Sequence, residues 1–256
     1  MLRYIYIKDN KMFKHKKIYI ICISLLLASC GGNTNTPIIK SPASTDSNNS
    51  SSTATTLKYK EVISPKTGLV WLDRNLGATK VCTINTKNQK ACFGDYYQWG
   101  RARDGHEKVD SNTSTMFPDA LENTNDKFII SGYEEWFISK DNDGKKRMEF
   151  WSKTDGTSIC PIGFRVPTAE ELKIELAGEF LNNIMQGFLK LPMSGHRRGD
   201  DGKWYNSSVA IWSATHNANI QGAKYIGYGG GNSTATLYSS GDKSSGYNVR
   251  CIKNSK

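Results

Sequence analysis

The sequence predicts an α+β domain with short antiparallel strands, one prominent helix near 168–186 and long irregular loops. It also predicts that a signal peptide and a disordered tether precede this domain. Three observations support this organisation: strand-like runs between turn-forming residues, a single helical pattern with a capping motif, and a basic then apolar N-terminus. All six tryptophans lie after residue 57, which indicates that the core forms in that part of the chain.

Short strands are predicted where apolar and β-branched residues form runs between clusters of glycine, asparagine and aspartate. Eight such runs lie at residues 58–63, 69–72, 96–99, 188–191, 210–214, 224–228, 234–238 and 247–252. Because aromatic side chains dominate core burial, we expect Trp71, Trp99, Trp151 and Trp212 to be buried.

Residues 168–186 carry the one clear helical pattern. Thr168 can cap the first turn while Glu171 reaches back to the backbone N–H of Thr168, which is a capping box. The apolar residues that recur at near-helical spacing, and are expected to face the core, are Leu172, Leu176, Phe180 and Ile184.

The N-terminus is typical of an exported protein. Several lysines precede an apolar run at 18–27, which is too short to cross a bilayer and is followed by Leu27-Ala28-Ser29-Cys30. This ending resembles the bacterial lipobox, which implies that residues 1–29 are a lipoprotein signal peptide and that Cys30 is acylated. Gly31 is not the Asp associated with inner-membrane retention, so we expect an outer-membrane lipoprotein. Met12 is an alternative start to Met1.

Residues 30–56 are predicted to be a disordered tether. They are rich in serine, threonine and asparagine and contain few apolar residues, so they cannot bury enough surface to offset the entropy of ordering. The folded domain is therefore assigned to residues 57–256, a normal size for one domain.

The net charge of +10 overstates how basic the domain is. Residues 1–29 contain six Lys/Arg and one acidic residue, which leaves 28 basic and 23 acidic residues, or +5, in the remainder. These charges form no basic stripe of the kind that binds nucleic acid, so we expect no nucleic-acid partner.

Four cysteines remain after Cys22 in the signal and Cys30: Cys82, Cys92, Cys160 and Cys251. An even number in an exported protein indicates two disulfides, for which three connectivities are possible. We favour a local Cys82–Cys92 loop and a long-range Cys160–Cys251 bond. The alternative is a zinc site of Cys82, Cys92 and His106, but their spacing lacks the close cysteine pairs that such sites use.

Seven segments occur in a recognisable order, at residues 67–78, 94–101, 104–108, 160–172, 189–195, 211–215 and 248–253. With Cys160-Pro161 and Arg250-Cys251 framing the second half, this series resembles the Fibrobacter succinogenes major paralogous domain family of bacterial surface lipoproteins. The resemblance implies a C-type-lectin-like fold in which the N- and C-terminal strands pair and Cys160 is bonded to Cys251. Members of this family are mostly of unassigned function.

The resemblance supports a scaffold and leaves the activity open. The motifs of calcium-dependent lectins are absent, and so is the close pair of reactive cysteines found in related oxidases. We therefore predict no catalytic residue, metal or cofactor.

Candidate ligand-binding residues are those whose side chains could stack on or hydrogen-bond to a ligand. They are Trp204, Tyr205, Tyr225, Tyr228, Asp200, Asp201 and His106. His106 lies beside Asp104 and Glu107, an arrangement that serves structure, ligand contact or general-base chemistry. The Asp200-Asp201-Gly202 segment is typical of a turn, with metal or sugar contact as the alternative. The neighbouring charged run 196–198 is expected in a solvated loop, with contact to an anionic ligand as the alternative.

We therefore expect a lipid-anchored surface or envelope protein that presents a non-enzymatic recognition or adhesion domain. Its partners would be the membrane, through the lipid on Cys30, and a glycan or protein outside the cell. One alternative is a structural envelope lipoprotein without a specific ligand, and a second is an enzyme acting on glycans or thiols.

Overall fold

The computed structural model describes residues 58–83, 90–122, 124–132, 135–137, 141, 143–206, 208–217, 222–229, 231 and 233–254. The predicted signal peptide, the lipidation site Cys30 and the tether lie outside these residues. Within the described ranges, no helix combines the length and the apolar composition needed to cross a membrane.

The described residues form a strand-rich α+β fold with few helices. The helices are α1 (Lys145–Trp151), α2 (Ala169–Leu176) and α3 (Leu181–Gln186), with a short 3₁₀ helix at Lys90–Cys92. The strands are β1 (Glu61–Ile63), β2 (Val70–Leu72), β3 (Tyr97–Gln98), β4 (Thr113–Ser114), β5 (Phe128–Ile129), β6 (Phe164–Arg165), β7 (His196–Arg197), β8 (Trp204–Tyr205), β9 (Val209–Asn217), β10 (Gly222–Tyr228), β11 (Thr236–Gly241), β12 (Gly246–Tyr247) and β13 (Ile252–Lys253).

Four small sheets organise these strands. Their orders are β1-β2-β13-β6, β11-β10-β9, β3-β12-β7-β8 and β4-β5, and only the β4-β5 pair is parallel among the described ladders. Strand β13 lies between β2 and β6, with Ile252 opposite Trp71. The last described strand therefore completes a sheet that the first strands begin.

The predicted helix is interrupted after two turns. The capping box is present: the Thr168 hydroxyl accepts the backbone N–H of Glu171, whose carboxylate accepts the backbone N–H of Thr168. The chain then turns at Gly178, which has φ +84°, and its N–H donates to the carbonyl of Ala235. This pairing with a distant segment ends α2, and α3 begins only at Leu181.

The interruption changes the predicted core face. Leu172, Leu176 and Ile184 are buried as expected, but Phe180 is 61% exposed, so its assignment to the core is wrong. Phe180 lies at the break between α2 and α3, where its backbone is extended and forms an isolated bridge with Thr234. Its side chain is therefore not on the core-facing side of a continuous helix.

Two further strand predictions are wrong in detail. Residues 188–191 form no strand, because Lys190 adopts φ +47° and interrupts any extended run. Residues 247–252 belong to two strands in different sheets, β12 and β13. The other six runs overlap observed strands, whereas α1 and the β7-β8 hairpin were not predicted.

Apolar side chains form two main buried clusters. An aromatic core contains Trp99, Trp151 and Trp212, and an aliphatic core gathers leucine, isoleucine and valine side chains around Trp71. All four tryptophans that were expected in the core are fully buried. Both favoured disulfides are present, with Cα atoms 5.2 Å apart for Cys82–Cys92 and 6.0 Å apart for Cys160–Cys251.

Candidate functional site: an aromatic belt

One row of aromatic side chains crosses the sheet β11-β10-β9. Tyr225 lies opposite Tyr238 on one side and opposite Trp212 on the other, so all three side chains lie on the same face. The ring centroids of Tyr225 and Tyr238 are 4.9 Å apart and stacked, and those of Tyr225 and Trp212 are 5.7 Å apart, edge to face.

A second row crosses the sheet that contains β12, β7 and β8. His196 lies opposite Tyr205, and the pairing of Gly246 with Arg197 puts Tyr247 opposite His196. The His196 ring is 6.1 Å from Tyr205, stacked, and 5.8 Å from Tyr247, edge to face. This row therefore continues from the hairpin β7-β8 towards the first row.

The two rows meet at Tyr247. Its ring centroid is 4.2 Å from that of Trp212 and 4.7 Å from that of Tyr225. We call the set His196, Tyr205, Tyr225, Tyr238 and Tyr247 the aromatic belt. Each such ring pair stabilises the arrangement by about 0.5–1.5 kcal/mol beyond its burial, so the belt is held in place before any ligand arrives.

Glycine permits the close packing under the belt. A Cβ atom at Gly241 would lie 2.7 Å from ring atoms of both Trp212 and Tyr225. Such a contact is far shorter than van der Waals distance, so a larger residue would displace the rings. The glycine of β11 is thus a requirement of the belt.

The belt is partly open to solvent, and burial favours the neutral form of several of its rings. Trp212 beneath it is fully buried, Tyr205 is 37% exposed, and the other four rings are half-buried. Burial raises the pKa of Tyr225 and of Tyr247, and burial followed by the charge of Arg198 lowers the pKa of His196. These hydroxyl groups and the imidazole are therefore neutral at pH 7.

Of the predicted aromatic residues, Tyr205 and Tyr225 belong to the belt, whereas Trp204 and Tyr228 do not. The indole N–H of Trp204 donates to the carbonyl of Ser194 at 2.8 Å and to the Tyr96 hydroxyl at 2.9 Å, which fixes Trp204 in the structure. Tyr228 packs against the aliphatic core. The sequence therefore identified part of the aromatic surface.

Asp200 and Asp201 form the tip of the β7-β8 hairpin, as the turn interpretation predicts. Asp200 pairs with Arg198, while Asp201 accepts the backbone N–H of Lys203 and, at 2.8 Å, the hydroxyl of Tyr205. Asp201 thereby orients a belt residue. The neighbouring Arg197 is buried, contrary to the expected solvated loop, because the backbone carbonyls of Gly202, Lys108 and Ser111 accept its N–H groups.

His106 is in the interior and does not reach a ligand surface. Its ring is 0% exposed, its Nε2 accepts the backbone N–H of Gln98 at 3.1 Å, and its Nδ1 lies 2.6 Å from an oxygen of Asp104. Because Nε2 is an acceptor, Nδ1 carries the proton and donates it to Asp104. Burial lowers the pKa of His106 to about 4, so the ring is neutral at pH 7. Its assignment as a ligand contact is corrected to a structural role.

The same geometry disfavours metal binding at this cluster. Ligand atoms of Asp104, His106 and Glu107 lie within 4.8 Å of one another, but both ring nitrogens of His106 already have hydrogen-bond partners. The alternative zinc site fails as well, because Cys82 and Cys92 form a disulfide with each other.

Sequence reasoning missed His196, Tyr238 and Tyr247 as members of the site. Tyr238 and Tyr247 lie in runs that were predicted as strands, which was the only sequence feature that pointed to an ordered position for these rings. Placing them beside Tyr225 requires the strand register, which the sequence did not provide.

The chain matches no family model, and comparisons with curated proteins and with solved structures likewise find no match. The belt is therefore interpreted from its own geometry.

Proposed function

We propose that this chain is a lipid-anchored outer-membrane protein that presents a non-enzymatic recognition or adhesion domain, with the aromatic belt as its contact surface. The observation that carries the proposal is the convergence of two aromatic rows, from separate sheets, into one partly exposed surface. The ligand would be a glycan or protein outside the cell.

The physical case rests on pre-organisation. Tyrosine supplies a large apolar ring with a polar hydroxyl, which is why tyrosines anchor many binding interfaces. In the belt these rings are already packed on Trp212 and on one another, so little side-chain entropy remains to be lost on binding.

A non-enzymatic role is favoured by the state of the groups that could do chemistry. His106 uses both ring nitrogens in the interior, and the four cysteines of the domain are joined in disulfides. Thiol chemistry or general-base chemistry at these residues would require the fold to open.

We further propose that the domain has the C-type-lectin-like fold of the Fibrobacter succinogenes major paralogous domain family. Support comes from the position of β13 beside β2 and from the Cys160–Cys251 disulfide, both of which that resemblance implies. The membrane anchor rests on the lipobox-like Leu27-Ala28-Ser29-Cys30.

Binding of the purified full chain to a glycan array and to a panel of extracellular host proteins tests the proposed function. We expect at least one ligand, and at least a tenfold loss of affinity when Tyr205→Ala and Tyr238→Ala are combined, because central aromatic residues carry much of the binding energy of an interface. The matched control is Phe180→Ala, which removes an exposed ring outside the belt and should leave affinity unchanged. Binding that is equal in both variants would refute the role of the belt.

The anchor is tested separately by metabolic labelling with an alkynyl palmitate. The wild-type chain should be labelled and Cys30→Ser should not. A labelled protein that binds nothing on the array or panel would support the structural envelope alternative instead.

A further inference from the structure

A cleft separate from the aromatic belt opens between α2, α3 and the turn that follows β1. Its volume is about 420 Å³, which lies in the range of small-molecule sites. Its polar lining comes from Lys66 of the turn, Glu175 and Glu179 near the end of α2, and Asn182, Asn183 and Gln186 of α3.

One wall of this cleft is held rigid by a buried carboxylate. The two oxygens of Glu175 accept the hydroxyl groups of Ser64 and Thr67, each at 2.6 Å. The Ser64 hydroxyl oxygen in turn accepts the backbone N–H groups of Lys66 and Thr67. The turn and helix α2 are thus locked together, and the cleft exists without a ligand.

The cleft is acidic although the chain as a whole is basic. Its charged lining consists of one lysine and two glutamates, for a formal charge of −1. Lys66 Nζ lies 3.8 Å from the Glu179 carboxylate, and both side chains are substantially exposed, so this ion pair is weak. Lys66 Nζ also donates to the carbonyl of Glu175, but at the long distance of 3.5 Å. An incoming cation can therefore replace Lys66 at the Glu179 carboxylate while Lys66 moves into solvent.

Neutral hydrogen-bonding groups stand beside this charge. The exposed amides of Asn182 and Gln186 make no hydrogen bond to any described residue, and the Asn183 amide donates to Glu179 at 2.9 Å. Apolar side chains of Leu176, Ile184 and Phe188 complete the lining. An amide offers both a donor and an acceptor, which suits hydroxyl groups.

We propose that this cleft binds an amino sugar, in which a primary ammonium group sits on a polyhydroxylated ring. The ammonium is recognised by Glu179 in the acidic cleft, the hydroxyl groups by the amides of Asn182 and Gln186, and the carbon face of the ring by the apolar side chains. A neutral sugar would lack the charge interaction, and a simple diamine would leave the amides unused.

Isothermal titration of the full chain with three probes at matched low ionic strength tests this assignment. Glucosamine carries both features, N-acetylglucosamine lacks the charge, and putrescine lacks the ring. We expect glucosamine to bind at least tenfold more tightly than either of the other probes. Equal binding of N-acetylglucosamine or of putrescine, or no binding of glucosamine, would overturn the proposal.

Charge variants locate the binding within the cleft. Glu179→Gln should weaken glucosamine binding at least fivefold, and Lys66→Met should strengthen it because a competing cation is removed. The matched control is Glu170→Gln, the same change at a 69% exposed side chain of α2 outside the cleft lining, which should have no effect. An equal loss in Glu179→Gln and Glu170→Gln would indicate only a diffuse charge effect and refute the site.

The combined Tyr205→Ala and Tyr238→Ala variant should still bind glucosamine, which separates this proposal from the role of the belt.

Discussion

The sheet β11-β10-β9 satisfies its backbone polar groups differently from the segments 73–83, 90–122 and 124–131. We call these segments the irregular region, because their strands are only two residues long. In the sheet, neighbouring strands pair through successive backbone groups along β10. In the irregular region, carbonyl groups accept side-chain donors instead: Gln98 donates to Ile129 at 2.7 Å and Arg101 donates to Asn125 at 2.5 Å. Since buried carbonyl groups need partners, buried side chains stand in for regular secondary structure here.

Buried tryptophan side chains also donate hydrogen bonds to backbone carbonyl groups. The indole N–H groups of Trp99, Trp136, Trp151 and Trp212 each donate to a backbone carbonyl, at 2.8–3.1 Å. These rings fill the core and also tie together segments that are distant in the sequence. The comparison predicts that the irregular region depends on a few long-range side-chain contacts and that each is costly to lose.

The largest expected effect concerns the Cys160–Cys251 disulfide, which spans 91 residues. Replacing both cysteines by serine should lower the free energy of unfolding by about 4–5 kcal/mol in the loop-entropy model. The same change at Cys82 and Cys92, which are 10 residues apart, should lower it by roughly 3 kcal/mol. Urea unfolding measures both values, and a larger loss for the short loop would contradict this prediction.

Arg250→Met should cost about 3–4 kcal/mol, because it leaves buried acceptors without donors. The Arg250 guanidinium donates to the carbonyls of Leu189 and Leu72 and to the Asn75 side chain. The matched control is Arg198→Met on the exposed hairpin, which should leave the free energy of unfolding almost unchanged. Similar midpoints of urea unfolding for the two variants would show that the hydrogen bonds from buried arginines do not stabilise the fold in the way that strand pairing does.

The third prediction concerns pH. The folded-state pKa of His106 is lowered to about 4, below the value of about 6.5 in an unfolded chain. Between these values the unfolded chain binds a proton that the folded chain does not, so this stabilisation is complete above pH 6.5 and is lost as the pH falls towards 4. The loss at His106 would amount to about 3 kcal/mol.

Urea unfolding of wild type and His106→Gln between pH 7 and pH 4 measures this effect. The difference in free energy of unfolding between the two proteins should narrow as the pH falls. His196→Gln, at a half-buried ring, should show a smaller narrowing. A constant difference for His106→Gln would mean that His106 does not titrate as its burial predicts.

The smallest expected effect is at the start of α2. Thr168→Ala should lower the free energy of unfolding by about 1 kcal/mol, because the first turn loses an acceptor for the Glu171 N–H. Thr168→Ser keeps the hydroxyl and should restore most of that loss. If the Thr168→Ser and Thr168→Ala variants had equal stability by thermal unfolding, the loss of stability would not come from the missing capping hydroxyl.

Local features of the fold could be predicted because local residues determine them. The capping box needs only Thr168 and Glu171, and seven of the eight predicted runs overlap observed strands. The break at Gly178 could not be predicted, because it depends on pairing with Ala235, 57 positions later in the chain. Phe180 was misplaced for the same reason.

The candidate site was harder to predict than the fold because it depends on exposure and register. His106 has the residue type of a binding or catalytic group, yet two hydrogen bonds hold it in the core. Tyr225 was identified, but its partners Tyr238 and Tyr247 join it only through tertiary packing. Residue type suggested the chemistry, while the fold decided which groups can meet a ligand.

The insertion of β13 between β2 and β6 also dictates when the protein can finish folding. Ile252 pairs with Trp71, and Cys251 closes onto Cys160, so neither sheet nor disulfide can be completed before residue 252 has been synthesised. Contacts this distant in sequence form slowly. Completion of this sheet and of this disulfide is therefore a late event in folding, even where other strands have already paired.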